Sequence, residues 1–134
     1  MSEDNVELTR EAFRRFHAGD ESWLELVDPE IGWDLSAYPL ADLPSTGRGR
    51  EALLKDVLEI YYGGWLDLKQ EIVETIEAGD DVVVLIHEIA RMRDSDTILE
   101  RDVAHVWTFR EGRLSFWRIL PDRDAALRAA GVEV

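Results

Sequence analysis

The chain has 134 residues, which suits one domain built on one core, taken here as residues 1–134. Acidic side chains outnumber basic ones 29 to 15, and the resulting charge of -14 argues against nucleic acid as a partner, because affinity for a phosphate backbone comes from clustered Lys and Arg. With no cysteine, disulfides and thiolate metal sites are excluded, and a hydrophobic content of 46% places the chain among globular proteins.

The N-terminal stretch MSEDNVELTREAF is acidic and carries no basic segment ahead of an apolar run. No stretch reaches the roughly eighteen uninterrupted apolar residues of a membrane span. The expectation is a soluble, cytoplasmic protein with no membrane partner.

Residues 3–18 set Leu8, Ala12, Phe13 and Phe16 at helical spacing, with Glu3, Arg10, Glu11, Arg14 and Arg15 on the other side. Gly19 follows as a left-handed cap. Ser22 and Glu25 have the spacing of a capping box ahead of Trp23, Leu24 and Val27, which predicts a short second helix closed by Pro29. Ile31 to Leu35 reads as a short strand. From Ser36 to Gly49 the prolines, glycines and serines predict a long loop of the kind that covers a site. Its Gly47-Arg48-Gly49-Arg50 lacks the Lys-Ser/Thr of a phosphate-binding loop and reads as the start of a helix.

Residues 50–62 place Leu53, Leu54, Val57, Leu58 and Tyr61 on one face of a third helix, which Gly63-Gly64 stops. Leu68, Ile72 and Ile76 then lie in an alternating run, and Ala78-Gly79-Asp80-Asp81 turns it into the strand Val82 to Ile89. The last strands, within Ile98–Asp122, flank Arg110-Glu111-Gly112 as a hairpin. Ala125, Ala126 and Leu127 form a final short helix before Gly131. Helices come first and a meander last, which predicts an α+β domain with its helices on one side of a curved antiparallel sheet.

Several segments together resemble the SnoaL-like members of the nuclear transport factor 2-like superfamily. They are Phe16-His-Ala-Gly-Asp20, Asp28-Pro-Glu-Ile-Gly-Trp33, Gly47-Arg-Gly-Arg-Glu51, Ala78-Gly-Asp-Asp-Val82 and Ala104-His-Val-Trp-Thr-Phe-Arg-Glu-Gly-Arg-Leu114, and they span nearly the whole chain. The resemblance implies a cone of three N-terminal helices against a strongly curved sheet, with a hydrophobic pocket between them and dimerisation through the outer sheet face. It implies a pocket protein for a small, largely apolar molecule, with cofactor-independent acid–base chemistry of isomerase, cyclase or epoxide hydrolase type. The alternative within the same superfamily is a non-catalytic ligand-binding or dimeric interaction module.

Asp34 looks like the position where ketosteroid isomerases hold a general base, and His105 like the position where isomerases and cyclases hold a pocket carboxylic acid. The chain departs from that pattern by carrying an imidazole, and at Ala12 it lacks the proton-donating tyrosine of the isomerases. Asp34 and His105 are therefore the candidate acid–base pair, since an imidazole exchanges protons near neutrality. Under this reading His105→Ala removes turnover and leaves melting nearly unchanged.

Trp33, Tyr38, Tyr61, Trp65, His87, Trp107 and Trp117 are the candidate pocket walls. A two-residue turn at Glu111-Gly112 sets Arg118 opposite His105, whereas a three-residue loop with a glycine bulge sets Trp117 there, and the resemblance favours the second. His17, His87 and His105 show no metal-ligand spacing, so neither a metal nor a cofactor is expected.

Overall fold

A computed structural model describes residues 2–37, 46–59, 65–92 and 97–133 of the protein. Helix α1 (Ser2–His17) buries Asn5, Thr9 and Ala12, with Val6, Leu8 and Phe13 packed beside them. The Thr9 hydroxyl donates to the Asn5 carbonyl at 2.8 Å, so this polar residue enters the core with its hydrogen bond made.

The second helical segment is a 3-10 helix, Glu21–Leu26, capped by Asp20 rather than Ser22: the Asp20 carboxylate accepts from the Ser22 amide at 2.9 Å. Strand β1 (Val27–Asp34) starts earlier than the sequence pattern predicts and runs through Pro29. The proline is tolerated because the pairing of β1 breaks register between Val27 and Gly32, so no ladder bond is required of it.

Strand β2 (Thr46–Arg48) lies within the segment expected to be loop and pairs antiparallel with β1. It sets Gly47 against Trp33, where a Cβ would run into the indole ring. Gly49, at φ 102°, leads into helix α2 (Arg50–Ala52), which continues as a π-helical segment over Leu53–Leu58 and buries Leu53 and Val57.

A meander of β3 (Trp65–Ala78), β4 (Asp81–Met92), β5 (Ile98–Arg110) and β6 (Arg113–Leu120) completes the sheet. The strand order is β2-β1-β6-β5-β4-β3. All neighbours are antiparallel except β1 and β6, so the sheet is mixed rather than wholly antiparallel. Parallel neighbours need a long connection, and here the whole meander supplies it.

Alternation divides β4 between two cores. Val82, Val84 and Ile86 pack with α1 and α2 residues on the inner face, while Val83 joins Ala104, Val106 and Leu120 on the outer face. Helix α3 (Arg123–Ala129) covers that outer cluster with Ala126 and Leu127. Asp122 caps it by accepting from the Ala125 amide, and Gly131, at φ 79°, ends it.

The final hairpin follows neither anticipated register. Its turn is the two-residue one, Glu111-Gly112, with both residues at positive φ and Arg110 opposite Arg113. Ser115 is then an extra residue, because Phe109 faces Leu114 and Thr108 faces Phe116. The Ser115 hydroxyl donates to the Thr108 carbonyl at 3.1 Å across the irregularity. His105 consequently faces Ile119, and Trp107 faces Trp117.

Candidate functional site

Between α1, α2 and the inner sheet face lies a cavity of about 70 Å³. Phe13, Phe16, Trp23, Ile31, Leu53 and Leu114 contribute apolar wall, and His105, Trp107 and Trp117 line it as well. Strand alternation and the Ser115 bulge bring these last three together on the inner face.

His105 is 6% exposed. Its Nδ1 accepts from two indoles at once, Trp107 Nε1 at 3.2 Å and Trp117 Nε1 at 3.2 Å. Two N–H groups aimed at one ring nitrogen require a lone pair there, which puts the imidazole proton on Nε2. Burial alone pushes the pKa of His105 down to about 3, so the ring is neutral at physiological pH. The result is a fixed tautomer, a neutral imidazole whose Nε2–H is the hydrogen-bonding capacity left over. Nδ1 is not free to act as a base.

Asp34 does not join it. In the parallel pairing of β1 with β6, Trp33 matches Trp117 and Asp34 matches Arg118, so Asp34 belongs to the outer face with Arg118. Its carboxylate accepts from the Ser36 amide at 2.9 Å and the Ser36 hydroxyl at 2.5 Å. These bonds, the hydroxyl first, hold Asp34 below the usual carboxylate range. The expected pairing of Asp34 with His105 across one cavity is corrected accordingly: strand parity sends Asp34 away, and the residue serves a turn.

His87 is corrected in the same way. It lies opposite Asp102 on the outer face, with Nδ1 2.7 Å from Asp102 and Nε2 2.8 Å from Glu100. Those carboxylates, Asp102 first, raise its pKa. Trp33 is 2% exposed and packs in the core against Gly47 rather than on the cavity wall. Tyr38 and Tyr61 lie outside the described residues, as does the side chain of Trp65.

A polar cluster, which composition and motif do not single out, lies at the other end of the inner face. Glu88 is 1% exposed and accepts from Gln70 Nε2 at 2.5 Å and Arg101 Nε at 2.7 Å. Gln70 and His17 both line the cavity. His17 closes α1, in ring contact with Phe13 at 4.5 Å and Phe16 at 5.2 Å. The signal was available in the alternation Val82, Val84, Ile86, which carries Glu88 inward as the next member. Among the described residues no group of three His, Asp or Glu side chains is arranged to hold a metal ion, and no helix is long and apolar enough to cross a membrane.

The fold defines a nuclear transport factor 2-like α+β cone. The model of the SnoaL-like domain matches residues 9–117, and the chain belongs to that family. No curated protein matches it significantly. Among solved structures, an NTF2-like protein of unknown function from Burkholderia pseudomallei K96243 is similar over 96% of this chain and 97% of its own, at 22% identity and a TM-score of 0.77. TerC, co-crystallised with polyporic acid, is similar over 96% and 98% at 22% identity and a TM-score of 0.73. A putative isomerase from Bacillus subtilis is similar over 98% and 95% at 18% identity and a TM-score of 0.73. At these identities the likeness is one of fold.

Proposed function

We propose that the protein binds a small, largely apolar molecule bearing a hydrogen-bond acceptor such as a carbonyl, and that His105 polarises that acceptor through Nε2–H in cofactor-independent acid–base chemistry of the isomerase or cyclase type. The observation that carries this reading is the double indole donation to Nδ1. A neutral imidazole held as a donor among apolar walls stabilises charge developing on a substrate oxygen, because its dipole is already oriented and little water competes. His105 thus takes the role of electrophile, without Asp34 as its partner.

The test is nitrogen-resolved NMR of the His105 ring from about pH 5 to 8, the range in which an ordinary imidazole titrates. The expected spectrum shows an unprotonated Nδ1 and a protonated Nε2 throughout, with Nε2 shifting when cyclohexanone is added. A ring that titrates near neutrality, or carries its proton on Nδ1, would sink the proposal.

The largely apolar cavity wall also favours a second reading, ligand binding without turnover. Under that reading His105→Gln retains affinity and no substrate is converted. Residence in the cytoplasm and a homodimer through the outer sheet face belong to the same proposal. Exposed Ile89 and Ile98, at 41% and 66%, are on that face by register and support the dimer. Sedimentation of wild type beside Ile98→Lys tests it, with a lighter species expected for the variant.

A further inference from the structure

We propose that Leu58 sets the size of molecule that the cavity admits, and that the π-helical turn carrying it is a wall with two windings, closed to rings as it stands and open to them when it rewinds as α. The inference rests on the reading of the cavity as a ligand site and narrows its ligand to a ring-sized ketone.

Residues 50–62 carry an α-helical spacing, yet Leu53–Leu58 is wound as π. The change of winding occurs within one turn. The Leu53 amide donates to the Gly49 carbonyl, four residues back, at 2.9 Å, whereas the Glu59 amide donates to the Leu54 carbonyl, five residues back. A bond of the second kind stacks residue i+5 over residue i, so Leu58 comes over Leu53 and both line the cavity. At 3.6 residues per turn Leu58 would stand about 140° round from Leu53, off that wall, while Val57 would stay within about 40° of it. Rewinding thus moves one cavity side chain and keeps the buried Val57 in the core. Leu58 is half-buried, so its departure gives up less apolar contact than that of Leu53 or Val57.

The space inside decides which winding a ligand needs. An apolar cavity of about 150 Å³ holds benzene. The cavity here is about 70 Å³, so a six-membered ring and Leu58 compete for the same volume, whereas a small acyclic ketone leaves Leu58 in place. The sheet side of the cavity has less room to give, because Trp107 and Trp117 are both tied to His105 Nδ1 at 3.2 Å. Turns of the π type inside helices recur at functional sites, which suits a wall that takes two positions. A ring-sized ketone binds the rewound form, and its apparent affinity is reduced by the fraction of the protein in that form.

The experiment titrates the full chain with acetone and with cyclohexanone, reading His105 Nε2 and the Glu59 amide by nitrogen-resolved NMR. Cyclohexanone is expected to shift the Glu59 amide, whose acceptor passes from the Leu54 to the Lys55 carbonyl, and acetone to leave it unmoved. Leu58→Ala is expected to tighten cyclohexanone about tenfold or more with acetone nearly unchanged, since a rewound form populated at roughly 0.1–10% limits wild type. Deleting the exposed Asp56 brings Leu58 to the fourth position after Leu53, which holds it inward in a regular α-helix. That variant is expected to keep acetone and to weaken cyclohexanone about tenfold or more. A Glu59 amide indifferent to cyclohexanone, or a Leu58→Ala protein with the wild-type ratio of the two affinities, overturns the proposal, and neither result depends on the deletion variant folding. If Nε2 is unmoved by both ketones while Glu59 answers to cyclohexanone alone, the electrophile role of His105 falls and the two-state wall stands.

Discussion

At His105 the same contacts that set the tautomer also bear on stability. His105→Ala leaves two indole N–H groups without an acceptor and opens space in the core, so a loss of about 2–5 kcal/mol is expected by denaturant titration. The sequence-based expectation of nearly unchanged melting is revised for that reason. His105→Gln keeps an acceptor oxygen and should lose much less. Acid acts on wild type and not on His105→Gln. The folded pKa is depressed to about 3, so below the ordinary imidazole value of about 6.5 the unfolded chain binds a proton that the folded chain refuses. The contribution is absent above that value and grows as pH falls towards the folded pKa. Relative to His105→Gln, wild type should lose roughly 1 kcal/mol per pH unit across this window. Equal acid slopes would contradict the buried neutral ring. The Glu88–Arg101 pair gives a different asymmetry. Glu88 is almost wholly buried and Arg101 only partly, so Arg101→Ala strands the costlier charge and should destabilise by about 3–5 kcal/mol, with Glu88→Gln milder.

Among the elements, β6 depends on one extra residue. Deleting Ser115 restores an unbroken register and turns every later side chain over, which sends Trp117 and Ile119 outward and Arg118 into the cavity wall. Cooperative unfolding should be lost, as read by calorimetry, whereas Ser115→Ala should fold. On the edge strand β2, Gly47→Ala forces a methyl against the Trp33 ring and should cost about 1–3 kcal/mol. These elements also mark how far the sequence could be read. Helix α1 and the closing helix announce themselves through a period of 3.6, because each buries a single face, and the four meander strands through apolar, β-branched runs bounded by turn residues. Pro29 misled because a β-irregularity excuses a proline as well as a helix end does. The hairpin was legible as a hairpin, yet its register came from a serine that carries no bulge signature. Asp34 and His87 resisted because a residue's face depends on which strand it pairs with, and the β1–β6 pairing joins positions far apart in sequence. Glu88 is legible only by alternation, since a carboxylate in an apolar run reads as solvent-facing until its neighbours are counted off in twos.

For the whole molecule, α3 is the outer cover of the sheet. Arg118 reaches from β6 to donate to the Ala129 carbonyl at 3.3 Å and lies 3.6 Å from Asp81 on β4, which ties the helix to two strands. Ending the chain after Asp122 uncovers Val83, Ala104, Val106 and Leu120, and light scattering should report association of a protein that still unfolds at a reduced temperature. The adjacency of β1 and β6 bears on how the protein comes into being. On the ribosome, Val27 to Asp34 leaves the exit tunnel long before Arg113 to Leu120 has been translated, and it stays without its parallel neighbour until the whole meander has been made. A nascent chain halted anywhere ahead of Leu120 therefore presents an incomplete sheet to chaperones, and refolding from urea should take milliseconds to seconds, the pace of distant strand closure.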